Sequence, residues 1–271
     1  MRIVALICTR NEELHIARCL RDILSGGIEV ILIDHESKDR TVEIARRYLG
    51  HGLLSIERLA WRGYFSLQEQ LRRKKQIISQ LSHDWVLHVD ADEWLCPAEP
   101  GTLLADAIER VDQAGFNCIN FDEFVFVPWA SEDFVGTDYV REMATYYFFA
   151  PQQPRLMRAW RRDLGGDNTA HGGHFLEANQ IKLYPKNFIL RHYIVLSQAH
   201  AARKYVSRRY DVAELAMGWH FNRIAIKDND LALQPSNVLR KLDRWDSVNF
   251  DLSAPAKMHF WQWDGNDDGK S

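Results

Sequence analysis

Paired cysteines are missing from this sequence. Cys8, Cys19, Cys96 and Cys118 stand apart, with no C-x-x-C and no His/Cys cluster at zinc-like spacing. This excludes a disulfide or zinc framework and reads as small buried thiols in a reducing compartment. No apolar run approaches the ~20 residues needed to span a bilayer. The apolar opening, residues 3–8, is too short for a signal h-region, and Arg10, Glu12 and Glu13 follow at once, so a cytoplasmic location is expected. Excess positive charge is also lacking. With a formal net charge of -3, the chain has no basic stripe to neutralise phosphates, which argues against a nucleic-acid partner. Internal repeats and low-complexity tracts are absent.

What remains is the composition of a folded protein. The 271 residues are 46% apolar and 26% charged, enough for one large α/β domain or a domain with a small appendage. Nine Trp residues suit core packing first and sugar faces second.

The first third alternates strands and helices. The continuous apolar run 3–8 and the stretch 29–33 read as strands buried on both faces, and 53–59 and 85–89 as a third and fourth strand. Between them lie three helical patterns. The first carries Leu14, Ala17, Leu20 and Leu24, with Asn11 as its cap and Gly26-Gly27 at its end; the others cover 41–49 and 66–81. The third holds a basic cluster, Arg72-Arg73-Lys74-Lys75. Such a series predicts an α/β class, a doubly wound, mostly parallel sheet with right-handed crossovers and ligands beyond the carboxyl ends of the strands. Later, 103–111 reads as a helix, 116–128 as a strand pair, 155–160 and 181–190 as strands, 197–210 as a helix, and the chain beyond Asp251 as a frayed tail.

Three polar segments fall at those strand ends: Thr9-Arg10-Asn11-Glu12, Asp34-His35-Glu36-Ser37 and Asp90-Ala91-Asp92-Glu93. Two carboxylates one residue apart, where a strand turns, can both approach one hard divalent cation, Mg²⁺ or Mn²⁺, which would also take diphosphate oxygens. The bland alternative is a solvated acidic turn, since D-x-D alone is common. Its place after Trp85-Val86-Leu87-His88-Val89 favours the metal reading.

The segment Val4 to Glu13 resembles the first strand and loop of the inverting glycosyltransferases of family 2, which have the GT-A fold. Asp34 to Thr41 resembles their D-D-x-S-x-D-x-T loop, and Val89-Asp90-Ala91-Asp92-Glu93-Trp94 their D-x-D strand in a D-A-D-E form. The three occur in the family's order over roughly the first 130 residues. The resemblance implies a nucleotide-sugar-binding half over 1–130, an acceptor-side half of the same domain over 131–250, and a tail over 251–271. It implies that Thr9, Arg10, Asn11, Glu12 and Asp34 cradle the nucleoside and that Asp90, Ala91 and Asp92 hold the diphosphate. Arg73 would reach that diphosphate, and Asp90, Asp92 and His192 would be metal ligands. His192 opens an H-Y-x-x-x-S segment like that which closes the donor site in a subset of these enzymes. The sequence departs from the family at His35, where a second Asp is common; the readings of Asp34 as a base contact or as a turn former stay open.

An inverting transferase needs a base for the acceptor hydroxyl, and Asp122, Glu123 and Glu177 are the candidates, with Asp167 a fourth. His171-x-x-His174 lacks the helical context of a zinc site. The Gly218-Trp219-His220-Phe221-Asn222-Arg223 cluster reads as structural first. The expected partners are a nucleoside diphosphate sugar and a glycan or glycoconjugate acceptor, with no transmembrane segment and peripheral membrane association left open. Two rival functions are a sugar nucleotidyltransferase and a catalytically silent binding module. The nucleotidyltransferase would carry a Gly-rich basic loop after its first strand, which Thr9 to Glu13 is not.

Overall fold

The computed structural model describes residues 1–206 and 208–263. In chain order the strands and helices are β1 (Ile3–Thr9), α1 (Ile16–Ser25), β2 (Glu29–Asp34), α2 (Thr41–Arg46), β3 (Leu53–Arg58), α3 (Leu67–Ile78), β4 (Trp85–Val89), β5 (Glu93–Cys96), α4 (Leu104–Gln113) and β6 (Cys118–Phe126). They continue with α5 (Tyr139–Glu142), β7 (Thr145–Phe149), β8 (Leu156–Arg161), β9 (Phe188–His192), α6 (Gln198–Tyr205), α7 (Val212–Ala216) and β10 (Arg240–Lys241). The chain divides into two compact units. The first comprises residues 1–62, 66–121 and 154–190; the second comprises 63–65, 122–153 and, among the described residues, 191–263.

In the first unit β3, β2, β1 and β4 form a parallel set in that order. Every residue of β1 is buried, as a strand covered on both faces requires. Alternation sends Ile3, Ala5 and Ile7 into one layer with α1 and α4, while Val4, Leu6 and Cys8 meet Ile77 of α3 on the other. The sheet is therefore doubly wound, as expected. Beyond β4 it turns antiparallel, through β8 and then the first four residues of β6.

Local differences from expectation have local causes. Asn11 does not cap α1: His15 stands at the N-cap, and Asn11 takes a left-handed φ of 57° in the preceding loop. The buried face of α1 is Ile16, Cys19, Leu20 and Ile23, a more apolar stripe than the 14, 17, 20, 24 series. Ser66 caps α3 by accepting from Glu69 N at 3.2 Å. Residues 116–128 hold one nine-residue strand, not a pair, because the chain stays extended through Asp122 and Glu123 pairs with Phe149 of β7.

In the second unit β10, β7 and the later part of β6 pair antiparallel. Ser197 caps α6 through His200 N. Val125, Tyr147, Phe149, Ile194, Tyr205, Phe260 and Trp261 share one apolar cluster. Residues 251–263, expected to fray, are instead held: Ala256 bridges to Phe149, and Phe260 and Trp261 are buried. The acidic end of the chain, 264–271, lies outside the described residues.

Candidate functional site

Strand order reverses between β1 and β4, so Thr9 and the acidic triplet leave neighbouring strands at one edge of the sheet. The triplet is a reverse turn closed twice. Glu93 N donates to Asp90 O at 3.0 Å, and Asp90 N donates to Glu93 Oε2 at 2.9 Å. Glu93 thereby joins the turn it follows. Its other oxygen accepts from Arg158 Nη2 at 2.7 Å, and the same nitrogen reaches Asp90 Oδ2 at 3.1 Å. Arg158 and Glu93 are buried, whereas the Asp90 side chain is 45% exposed. Asp92 is buried beside them. A second cation, Lys74 of α3, is also buried; burial pushes its pKa down, and the attraction of Asp90 opposes that shift.

The two loops after β1 and β2 are laced together by their own side chains. Asn11 N donates to Ser37 Oγ at 2.9 Å, and Lys38 N returns a bond to Asn11 Oδ1 at 2.8 Å. Glu12 N reaches Thr41 Oγ1 at 2.8 Å, and Glu13 N reaches Asp39 Oδ2 at 3.0 Å. Arg10 donates to the carbonyls of His35 and Glu36, each at 2.6 Å, and lies 3.6 Å from the Trp61 ring centroid. Both oxygens of buried Asp34 accept from Ser37 N at 3.2 Å, so this carboxylate forms the turn. His35 is fully buried, edge-on to Trp61 at 5.0 Å; burial pushes its pKa down, which keeps the imidazole neutral. The buried Thr9 hydroxyl and His35 Nε2 have no hydrogen-bond partner among the described residues.

The profile of "Glycosyl transferase family 2" matches residues 4–170, more than half of the chain. The chain belongs to this family. An uncharacterised glycosyltransferase of Rickettsia typhi is 38% identical over 110 residues, covering 41% of this chain and 32% of that protein. Another from Rickettsia conorii is 37% identical over 110 residues and matched over 34% of its length. The chain thus spans about a third of the length of these curated relatives. Among solved structures, Staphylococcus aureus TarS 1–349 in complex with UDP-GlcNAc is 17% identical, covers 70% of this chain and 58% of its own, and has a TM-score of 0.45. Glucosyl-3-phosphoglycerate synthase from Mycobacterium tuberculosis, in complex with Mn²⁺, UDP and phosphoglyceric acid, is 18% identical, with coverages of 60% and 56% and a TM-score of 0.35.

Within the family member's first unit, Arg73 pairs with Glu57 Oε2 at 2.9 Å, and its neighbour Lys74 is the α3 cation that interacts with Asp90. Glu177 is exposed and bound to His171 Nε2 at 2.6 Å. Asp167 is tied to Lys75 at 2.5 Å; burial would raise its pKa, but the bonds from Lys75 and Thr169 prevail and hold it at about 2. In the second unit Glu123 Oε1 lies 2.7 Å from His192 Nδ1, and Asp122 Oδ1 accepts from Gln153 at 3.3 Å. Among the described residues, no group of three or more His, Cys, Asp and Glu side chains is arranged to hold a metal ion.

Sequence reasoning missed Lys74 and Arg158, although each left a sign. Lys74 falls in the 67, 71, 74, 78 helical stripe, a core position. Arg158 interrupts the apolar strand Leu156-Met157-Arg158-Ala159-Trp160. A charge at a core position is seldom kept without a partner.

Proposed function

We propose that this chain moves a sugar from a nucleoside diphosphate sugar to a hydroxyl of a glycan or glycoconjugate, by a single inverting displacement. The observation that carries the reading is the Asp90-Ala91-Asp92 turn, placed where strand order reverses and backed by Lys74 and Arg158. The carboxylates fit a hard divalent cation: they offer oxygen donors, one of them half-exposed, and the diphosphate and water would complete the shell. Bound Mn²⁺ or Mg²⁺ would offset charge growing on the leaving diphosphate. Lys74 and Arg158 lie on the same polar edge and add fixed positive charge there, without reorganisation.

Thr9, with its unpartnered hydroxyl, is suited to the nucleoside. Arg10, Asn11 and Asp34 shape the walls around it, and Glu12 contributes its backbone. Neutral His35 brings no carboxylate to the base. Glu123 Oε1 lies 2.7 Å from His192 Nδ1, as carboxylates hold the rings of ligating histidines, which supports a positioning role for Glu123. The base for the acceptor proton must meet that hydroxyl, and the solvent access of Asp122 and Glu177 favours these two for the role.

Calorimetry with the common nucleoside diphosphate sugars in Mn²⁺ tests the reading. Binding of at least one donor is expected; failure of all of them would overturn it. Slow donor hydrolysis that vanishes in Asp92→Ala is expected as well, and an inert wild type would indicate a silent binding module.

A further inference from the structure

The Gly218 to Arg223 cluster belongs to a segment of the second unit that is folded inside out. Its ionisable pair points inward: His220 Nε2 meets Glu214 Oε2 at 2.9 Å, with both side chains buried. The His220 ring stacks on Tyr210 at 4.7 Å and lies edge-on to Phe65 at 5.5 Å. Four of its apolar side chains point outward, Val212 78% exposed, Phe221 64%, Ile224 49% and Met217 48%, while Ile226 packs against the apolar cluster of the unit. A water-facing segment is normally arranged the other way, and four large apolar side chains exposed within thirteen residues mark a contact surface.

The presentation is fixed, not frayed. Asp211 caps α7 through Ala213 N, Trp219 N donates to Glu214 O at 3.0 Å, and Asn222 O accepts from Trp261 Nε1 at 3.0 Å. Cations flank the apolar group on both sides. Arg208 and Arg209 precede it and Arg223 and Lys227 close it; of the acids between them Glu214 pairs with His220 and Asp211 caps α7, while Asp230, just beyond, accepts from Lys227 N. Arg208 and Arg223 lay their guanidinium groups over Phe65 and Tyr205, at 4.9 and 5.8 Å. Over residues 208–227 four Arg and Lys stand against two Asp and Glu, whereas the chain as a whole carries a formal -3.

We propose that residues 208–227 are a docking surface for an anionic lipid bilayer. Exposed apolar side chains rimmed by Lys and Arg match the acyl boundary and the acidic headgroups of such a surface. A second copy of the chain would bring like-charged rims together, which disfavours self-association. No helix among the described residues is long and apolar enough to cross a membrane, so the contact made here is shallow. The inference stands apart from sugar transfer, and its test needs no donor.

The experiment is co-sedimentation of the full chain with vesicles of phosphatidylcholine, alone or mixed equally with phosphatidylglycerol. The chain is expected to sediment with the mixed vesicles, weakly with neutral ones, and less as salt rises. Phe221→Ser with Ile224→Ser should lower partitioning about tenfold or more, and Arg209→Gln with Lys227→Gln about tenfold. All four sites are exposed, so the melting temperature should hold. Three results would overturn the proposal: no sedimentation with mixed vesicles at low salt, unchanged binding in the serine variant, or a dimer in the ultracentrifuge that the serine changes abolish without any vesicle binding.

Discussion

A guanidinium inside a strand survives only where its charge is answered, and Arg158 is answered by Glu93 and Asp90. Arg158→Met removes the guanidinium paired with the buried Glu93 carboxylate, at a cost of about 3–5 kcal/mol, whereas the added change Glu93→Met should restore most of it. Urea unfolding of the two variants checks this. At Asp167 the sign of the pH effect follows from its depressed pKa. Its contribution is complete above the ordinary 3.8 and is lost as pH falls through about 2. Lys75→Met should move that loss to higher pH in acid unfolding monitored by circular dichroism. Asp90 and Asp92 were legible in the sequence because D-x-D is a local pattern. Arg158 was not, because the register that brings it to Asp90 joins residues 68 positions apart.

At the scale of elements, α3 separates two neighbouring cations by burial alone. Lys74→Met should weaken donor binding at least tenfold, measured by calorimetry. Arg73→Met should change stability by at most ~1 kcal/mol and leave donor affinity near wild type, because its pair with Glu57 is partly exposed. In β1, Leu6→Ala removes a fully buried side chain from the α3 face of the sheet, and a loss of about 2–5 kcal/mol in urea unfolding is expected. β1, β2 and β4 could be read from sequence because burial on both faces makes them mostly apolar runs, and the half-exposed β3 from its place in the alternation of strands and helices. β5 could not, and β6 reads as two strands in place of one. β5 is four residues long and opens on Glu93, and β6 carries Asp122 and Glu123 mid-strand, where polar neighbours mimic a turn. β7, Thr-Tyr-Tyr-Phe-Phe, lies where the surrounding periodicity fades, although its composition favours a strand.

At the scale of the molecule, the chain visits the first unit, leaves it and returns. Residues 154–190 bring Arg158 back to the edge that residues 1–121 began. The packed stretch 251–263 anchors the second unit in a similar way. Trp261→Ala should cost about 3–5 kcal/mol and lower the melting temperature in calorimetry, an outcome a frayed tail would not give. The laced loops after β1 and β2 have one further consequence. Each has already surrendered its conformational freedom to the other, so under the proposed function an arriving nucleoside would meet a socket cast in advance, not a lid that must be drawn shut. Recognition on that side would then resemble a key entering a finished lock, and its heat signature is expected to report contact and dehydration in place of chain ordering.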